Sequence, residues 1–346
     1  MLNVAVVGIG DWGRNLVRNF CEIEKANLKV CCDLDMNALE RIKEKYPAVR
    51  ITTDYGEVIE DREIDAIVIA TSTPTHVDLA KKALEANKHI FVEKPLTLNY
   101  KQAQELVYLA KEKEKKLMGG QLLEYHPAVV EMKRRLSQNE IGEIYYLYSE
   151  RLNLGKVRTT ENALWCFAPH DISVMLYLLN SEPVEISAYG GIFLQKKEKI
   201  EDVVFVNIRF RNGVVANLHL SWLDPNKVRK ITLVGSKKMM VFDDMESRDK
   251  LKIFNKGVIK NNLEDRVEFN VRYGDIYIPK IDVSEPLKLE CLHFVDCIER
   301  NKTPRSAGED GLKVVRILET AQDSLDKGGI PVSLRGEAEA ISCEGN

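Results

Sequence analysis

Val4-Ala5-Val6-Val7-Gly8-Ile9-Gly10-Asp11-Trp12-Gly13-Arg14-Asn15-Leu16 reads as a buried strand, a glycine turn and the opening of a helix. In this G-x-G-x-x-G pattern Gly8 permits the tight turn and Gly10 lets the backbone approach a pyrophosphate. Gly13 lets the helix pack closely on the strand, and Asp11 and Trp12 sit in the turn itself. The helix N-terminus offers unpaired N–H groups and the positive end of a dipole to phosphate oxygens. A second apolar run, Leu28–Cys32, ends in Asp33, about 20 residues beyond Gly13. A carboxylate there accepts hydrogen bonds from an adenosine ribose 2′-OH. Leu34 and Asp35 follow, with no Arg to meet a 2′-phosphate, so NAD is expected rather than NADP.

Outward from that stretch, strand and helix alternate to about Gly120, the pattern of a parallel sheet covered on both faces. A helix runs from Met36 to Tyr46 and stops at Pro47. A short one starts at Asp54-Tyr55, and Pro74 starts another that reaches Asn87. Strands are expected at Ile64–Ala70, His89–Val92 and Lys116–Met118, with Asn99 capping the helix before the last of these. After Gly119-Gly120 the character changes to long alternating strands at Ile144–Leu154, Val184–Leu194, Val203–Phe210 and Val214–Trp222. Further strands are expected at Lys230–Val234, Met239–Phe242 and Leu251–Phe254, with helices at His170–Leu179, Pro286–Arg300 and Glu309–Lys327. The fold class is therefore α/β, a Rossmann doubly wound parallel sheet followed by an α+β domain with an open, mainly antiparallel sheet. The expected division is 1–120 for NAD binding, 121–335 for substrate and oligomer contacts, and 336–346 as a mobile tail.

The chain has 346 residues, 45% of them hydrophobic and 30% charged, enough for two ordinary cores. A net charge of −3 gives no general attraction to nucleic acid or to an anionic membrane. No apolar run approaches the roughly 20 residues that cross a bilayer. The start leads straight into a strand, with no signal peptide, so a cytoplasmic location is expected. Seven cysteines, without a C-x-x-C pair or zinc-type spacing, suggest reduced thiols and no metal site.

Ligands of a doubly wound sheet lie beyond the carboxyl ends of its strands. Thr71, Thr73 and His76 follow one such end, where hydroxyls and a helix N-terminus suit the ribose and phosphates of a cofactor or simply cap a turn. Glu93-Lys94-Pro95 follows another. There Lys94 is either placed for the nicotinamide edge and a substrate oxygen or is a surface lysine beside a turn proline, and Pro95 is a candidate for a cis bond. His170, read at a helix start beside Asp171, is either an acid/base imidazole kept neutral by the helix dipole or a structural histidine.

Together the Gly8–Gly13 turn with Asp33, the Glu93-Lys94-Pro95 turn and the Trp165–Asp171 stretch resemble the Gfo/Idh/MocA oxidoreductase family, in order, over about residues 1–335. The resemblance implies NAD(P)-dependent oxidation or reduction of a sugar or cyclitol carbon. Lys94 would orient the reacting hydroxyl and His170 would be the acid/base. It also implies a homodimer or homotetramer joined through the open sheet. One departure is Cys166, at a position where many members carry Asp in a D-x-x-x-H pattern.

Arg151, Lys156 and Arg158 could bind a phosphate or carboxylate or form a solvated loop. Gln121, Tyr125, Asn153, Asn162 and Trp165 are further candidates for the substrate side. The segments Gly10–Gly13, Gln121–Pro127, Arg151–Arg158 and Trp222–Pro225 resemble a nucleotide-sugar branch of the family, which implies a UDP-N-acetylhexosamine or its uronic acid, oxidised at C3. The alternatives are a free sugar or inositol dehydrogenase and a non-enzymatic NAD-binding sensor.

Overall fold

The structure is a computed structural model that describes residues 1–155, 157–262 and 267–334. Lys156 and the segment 336–346 lie outside the described residues. The chain divides into two compact units, Met1–His126 with Ser284–Arg316, and Pro127–Val283 with the segment from Ile317 onward. The change of unit thus falls six residues beyond the expected division at 120, and the segment Ser284–Arg316 returns to the first unit.

The first unit contains β1 (Leu2–Val7), α1 (Gly13–Glu22), β2 (Ala26–Cys32), α2 (Met36–Lys45), β3 (Arg50–Thr52), α3 (Tyr55–Glu60), β4 (Ala66–Ile69), α4 (His76–Glu85), β5 (His89–Glu93), α5 (Tyr100–Glu112) and β6 (Leu117–Gly120). Each strand pairs in parallel, in the order β3-β2-β1-β4-β5-β6. This is the order of a doubly wound dinucleotide fold, with its crevice where the winding reverses between β1 and β4. Val4, Ala5 and Val6 are fully buried because the sheet is covered on both faces. Local chemistry starts the helices: Asp35, Asp54 and Asn99 accept backbone N–H bonds from Asn37, Gly56 and Gln102 and cap α2, α3 and α5. The helix expected from Pro74 opens as a 3-10 turn, Thr73–Thr75, before α4.

The second unit contains α6 (Pro127–Ser137), β7 (Ile144–Leu152), α7 (Ala163–Leu179), β8 (Pro183–Gly191), β9 (Val203–Phe210), β10 (Val215–Ser221), β11 (Val228–Gly235), β12 (Met239–Asp243), β13 (Leu251–Phe254), β14 (Gly257–Asn262), β15 (Val267–Arg272) and β16 (Ile276–Tyr277). The returning segment holds α8 (Pro286–Glu299) and the start of α9 (Gly308–Asp326), and β17 (Val332–Ser333) follows. Nine strands form one sheet, β16-β13-β12-β11-β7-β10-β9-β8-β17, antiparallel except for the parallel β7–β10 pair. Alternation along β9 buries Val204, Val206 and Ile208 under α7 and leaves Phe205 exposed.

The α7 helix begins seven residues before the expected start at His170. Asn162 caps it by accepting from the Trp165 N–H at 3.2 Å, and the helix continues through Pro169. A proline inside a helix removes one hydrogen bond. Here burial of Leu164, Ala168, Ile172 and Met175 on the same helix outweighs that loss.

Candidate active site

In the first unit the carboxyl ends of β1, β2 and β4 border a cavity of about 420 Å³, lined by Gly8, Gly10, Asp33, Tyr55, Thr71 and Leu79, among others. The three glycines of the turn differ in what surrounds them. Gly8 has φ +92° and its absent Cβ would lie 2.7 Å from the backbone of Ala70 and Thr71. A Cβ on Gly13 would lie 1.9 Å from the Gly8 carbonyl oxygen. Both are needed by the protein itself. A Cβ on Gly10 would meet nothing within 4 Å. Gly10 therefore borders open space on the cavity side, the cradle a pyrophosphate requires, and the residues present fit a dinucleotide.

The Asp33 carboxylate accepts from the backbone N–H groups of Ile9 at 2.5 Å and Asp35 at 2.9 Å. A carboxylate has about four lone-pair directions, so two remain for ribose hydroxyls. Leu34 beyond it is exposed and offers nothing to a 2′-phosphate. Asp11 is exposed and pairs with Arg14 at 2.8 Å.

At the ends of β4 and β5 the backbone is tied together. Thr71 and Thr75 hydroxyls share a hydrogen bond of 2.7 Å. His76 is buried, with Nε2 3.1 Å from the Thr71 carbonyl oxygen and Nδ1 3.1 Å from that of Pro95. The sequence groups His76 with the cofactor contacts, but both its nitrogens face backbone carbonyls, to one of which the single N–H of the neutral ring donates, and the ring packs between the two turns. Thr73 is half-buried in the 3-10 turn.

The Lys94–Pro95 bond is cis, as the sequence suggests. Glu93 is buried, accepts from the Trp12 indole N–H at 2.5 Å, and accepts from the Lys94 backbone N–H at 3.1 Å. Its register partner on β6 is Gly120, whose Cβ would lie 2.9 Å from the Glu93 carboxyl, so only glycine leaves room for it. Burial pushes the Glu93 carboxyl up to about 7, against the opposing pull of the Trp12 hydrogen bond and the Lys94 charge. Trp12, in the glycine turn, is thereby fastened to the strand end that carries the half-buried Lys94.

Two further candidates of this unit are inside it. Gln121 is buried, and the Tyr125 hydroxyl is buried 3.0 Å from Ser306 Oγ, with Arg305 stacked on its ring. Tyr125 is a core residue here, because a buried phenol needs a hydrogen-bond partner and Ser306 supplies it.

In the second unit His170 is half-buried on α7, one turn after Cys166, so the two share a helix face. His170 lies two turns inside the helix rather than at its N-terminus, which removes the dipole argument for a lowered pKa. Beside it, Asp171 is fully buried and held by Arg151, Nε to Oδ2 at 2.6 Å and an Nη to Oδ1 at 3.1 Å. The sequence offers Arg151 for an anionic substrate, but the guanidinium fork is occupied by Asp171, which as a buried carboxylate requires it. Arg158 is exposed and 3.8 Å from Glu161. Asn153 donates its backbone N–H to Ser221 at 2.9 Å. Asn162 and the Trp165 indole both donate to Gln322, at 2.9 and 3.2 Å. This ties the start of α7 to α9.

Sequence reading misses Glu290, a buried carboxyl of the first unit. The signal for Glu290 was present. Leu287, Cys291, Phe294 and Val295 form a buried stripe on α8, and Glu290 interrupts it.

A doubly wound sheet with an acidic β2 end, a ligand-sized space over Gly10 and a lysine at the β5 end defines a dinucleotide-binding protein. Residues 2–121 match the model of an oxidoreductase family with an NAD-binding Rossmann fold, and residues 129–241 match that of the GFO/IDH/MocA C-terminal domain. The chain belongs to the Gfo/Idh/MocA oxidoreductase family and is an NAD(P)-dependent dehydrogenase with NAD as its cofactor. It is 26% identical to the NAD(+) scyllo-inositol 2-dehydrogenase of Bacillus subtilis over 342 residues, 95% of either chain. It is 29% identical to the UDP-N-acetylglucosamine 3-dehydrogenase of Acidithiobacillus ferrooxidans over 233 residues, 67% of this chain and 71% of that one. The solved structure of that enzyme superposes with a TM-score of 0.80 at 23% identity, covering 94% of this chain and 98% of the other, which establishes the shared fold. No helix among the described residues is long and apolar enough to cross a membrane.

Proposed function

We propose that the chain transfers a hydride between a secondary alcohol of a sugar and nicotinamide, the alcohol being C3 of a UDP-N-acetylhexosamine or its uronic acid. The observation that carries this reading is the Lys94 turn, where the buried Glu93 accepts from the Lys94 backbone N–H and from the indole N–H of Trp12 in the glycine turn. It holds an ammonium at the strand end next to the dinucleotide turn. Lys94 would hold the substrate oxygen, and His170 would take the hydroxyl proton as the C–H hydride leaves for the cofactor, which supplies the hydride acceptor. Reversing both transfers gives reduction. Holding the carbinol in attack geometry supplies much of the rate.

A second reading, a dehydrogenase of a free sugar or inositol, is favoured by one observation. Arg151, one of the cations available for a diphosphate, is committed to Asp171. Arg158 then decides between the two. Arg158→Ala should raise KM for a UDP-sugar at least ten-fold under the first reading and leave inositol turnover untouched under the second. Lys94→Ala and His170→Ala should each lower kcat by about 10²–10⁴-fold, the usual range for acid–base and orienting groups, with NAD affinity retained. Wild-type turnover in either variant would remove that residue's role. The outward face of the nine-stranded sheet, with Tyr189 beside Phe205 and Tyr146 stacked near Tyr148, supports association of copies through that surface, in a cytoplasmic enzyme.

A further inference from the structure

Beneath the Lys94 turn the first unit encloses carboxyls that the hydride-transfer reading does not use. Glu290 on α8 is completely buried, and neither carboxyl oxygen has a hydrogen-bond partner. Phe91, two residues before Glu93 on the same face of β5, packs edge-on against Phe294, one turn after Glu290 on α8, with ring centroids 5.7 Å apart, so the two glutamates lie on packed faces of one core. Burial, and then the charges of Glu93 and Glu124, push the Glu290 carboxyl well above its ordinary range. Glu124, in the 3-10 turn Leu122–Tyr125, is also buried and feels Asp310 and the opposing charge of Arg305. The remaining titratable neighbours are Tyr125 and Cys291, both pushed up by burial and by Glu290, so both are neutral near pH 7. Lys94 is the cation that acts on Glu93.

With Glu93 ionised, a second charge on the buried, unpartnered Glu290 is disfavoured, and one proton is retained between the two carboxyls. The donors decide which. Glu93 has the Trp12 indole N–H and the Lys94 backbone N–H, whereas Glu290 has neither and would leave a bare buried charge. The single negative charge therefore belongs on Glu93, and Glu290 is the neutral acid.

We propose that Glu290 stays protonated so that the Glu93–Glu290 pair carries one charge, and that this charge selects the oxidation state of the bound cofactor. The selection rests on the reading above, in which the nicotinamide lies at the Trp12–Lys94 end. The oxidised nicotinamide ring is a cation and the reduced ring is neutral. An ionised Glu93 favours the first by Coulomb attraction and leaves the second unaffected. Protonating Glu93 removes that preference. The pair is thus a pH-sensitive bias on the bound cofactor, with Glu93 as its titrating member, held by the Trp12 and Lys94 N–H groups, and Glu290 as its neutral one.

The test is equilibrium binding of NAD⁺ and NADH to the full chain from pH 6 to 8.5, with folding verified by thermal denaturation. In the wild type, Kd(NADH)/Kd(NAD⁺) should rise about ten-fold with pH, the effect of one charge on another across a partly solvated site. Glu290→Gln, a neutral isostere, should keep that rise and its midpoint, and Glu93→Gln should flatten it. A flat wild-type ratio overturns the inference, as does a ratio flattened by Glu290→Gln but kept by Glu93→Gln. With NAD bound normally, those results leave the hydride-transfer reading intact. Absence of binding at every pH would overturn both.

Discussion

Alanine at Gly10 and alanine at Gly13 should fail in opposite ways, although the two residues belong to one turn. At Gly13 the new Cβ would stand 1.9 Å from the Gly8 carbonyl oxygen and 2.9 Å from its carbon. Both are backbone atoms, so α1 must move away from the β1 end. Overpacking of this kind costs about 1–3 kcal/mol and sometimes more. Gly13→Ala should lower stability by at least the upper end of that range. At Gly10 no heavy atom stands within 4 Å of the new Cβ, and its φ lies outside the left-handed region. Alanine there should be neutral or stabilising by about 0.4–1 kcal/mol, because it restricts the unfolded chain. Its methyl nevertheless fills the approach of the pyrophosphate, and NAD affinity should fall at least ten-fold, about 1.4 kcal/mol. Urea denaturation with calorimetric NAD titration separates the two effects. Wild-type NAD affinity in Gly10→Ala would refute the placement of the pyrophosphate, and destabilisation equal to that of Gly13→Ala would refute the open space.

Three other changes test the supports of the site. His76→Phe removes the ring N–H, which in the neutral, buried imidazole donates to one of the two backbone carbonyls it faces, and should cost about 1–3 kcal/mol. It should also lower kcat by loosening the Lys94 turn, and an unchanged kcat would deny the ring's hold on that turn. Asp171→Asn breaks the bidentate bond with buried Arg151 and should cost about 3–5 kcal/mol in urea denaturation, whereas a loss under 1 kcal/mol would mean that the pair is solvated. Burial raises the Cys32 thiol from 9.0 to about 11. A raised thiol pKa favours the folded state fully below the unfolded value, and that contribution fades as pH climbs from about 9 to 11. Cys32→Ala should therefore flatten part of the alkaline fall in thermal midpoint, and an identical profile would contradict this.

The parts legible in the sequence are those set by short-range rules. The glycine turn, Asp33 and the Lys94 turn each occupy a strand end that hydrophobic patterning locates, and the observed strands reproduce Val203–Phe210 and Leu251–Phe254 without change. The three-residue β3 and the two-residue β16 and β17 carry too little pattern to be read. The α6 helix was readable, since Pro127 stands at its first position before an amphipathic run. Pro169 misleads in the other direction, because a proline resembles a boundary until the buried residues around it are known. The roles of Arg151 and Tyr125 could not be read locally. Their partners Asp171 and Ser306 are brought to them by the fold, and a buried ion pair has the same sequence as an anion-binding loop. Glu290 belongs to the same class, since its neighbours Glu93 and Glu124 come from distant segments.

The most direct test of the central claim is NADH absorbance when purified protein and NAD are mixed with UDP-N-acetylglucosamine, its uronic acid and myo-inositol in separate reactions, with a ketone trap present. The account expects NADH from a UDP-sugar, abolished by Lys94→Ala. Silence with all three substrates, while NAD binding is retained, would contradict hydride transfer from a sugar carbon to nicotinamide and leave a cofactor-binding protein with Cys166 in place of a carboxylate.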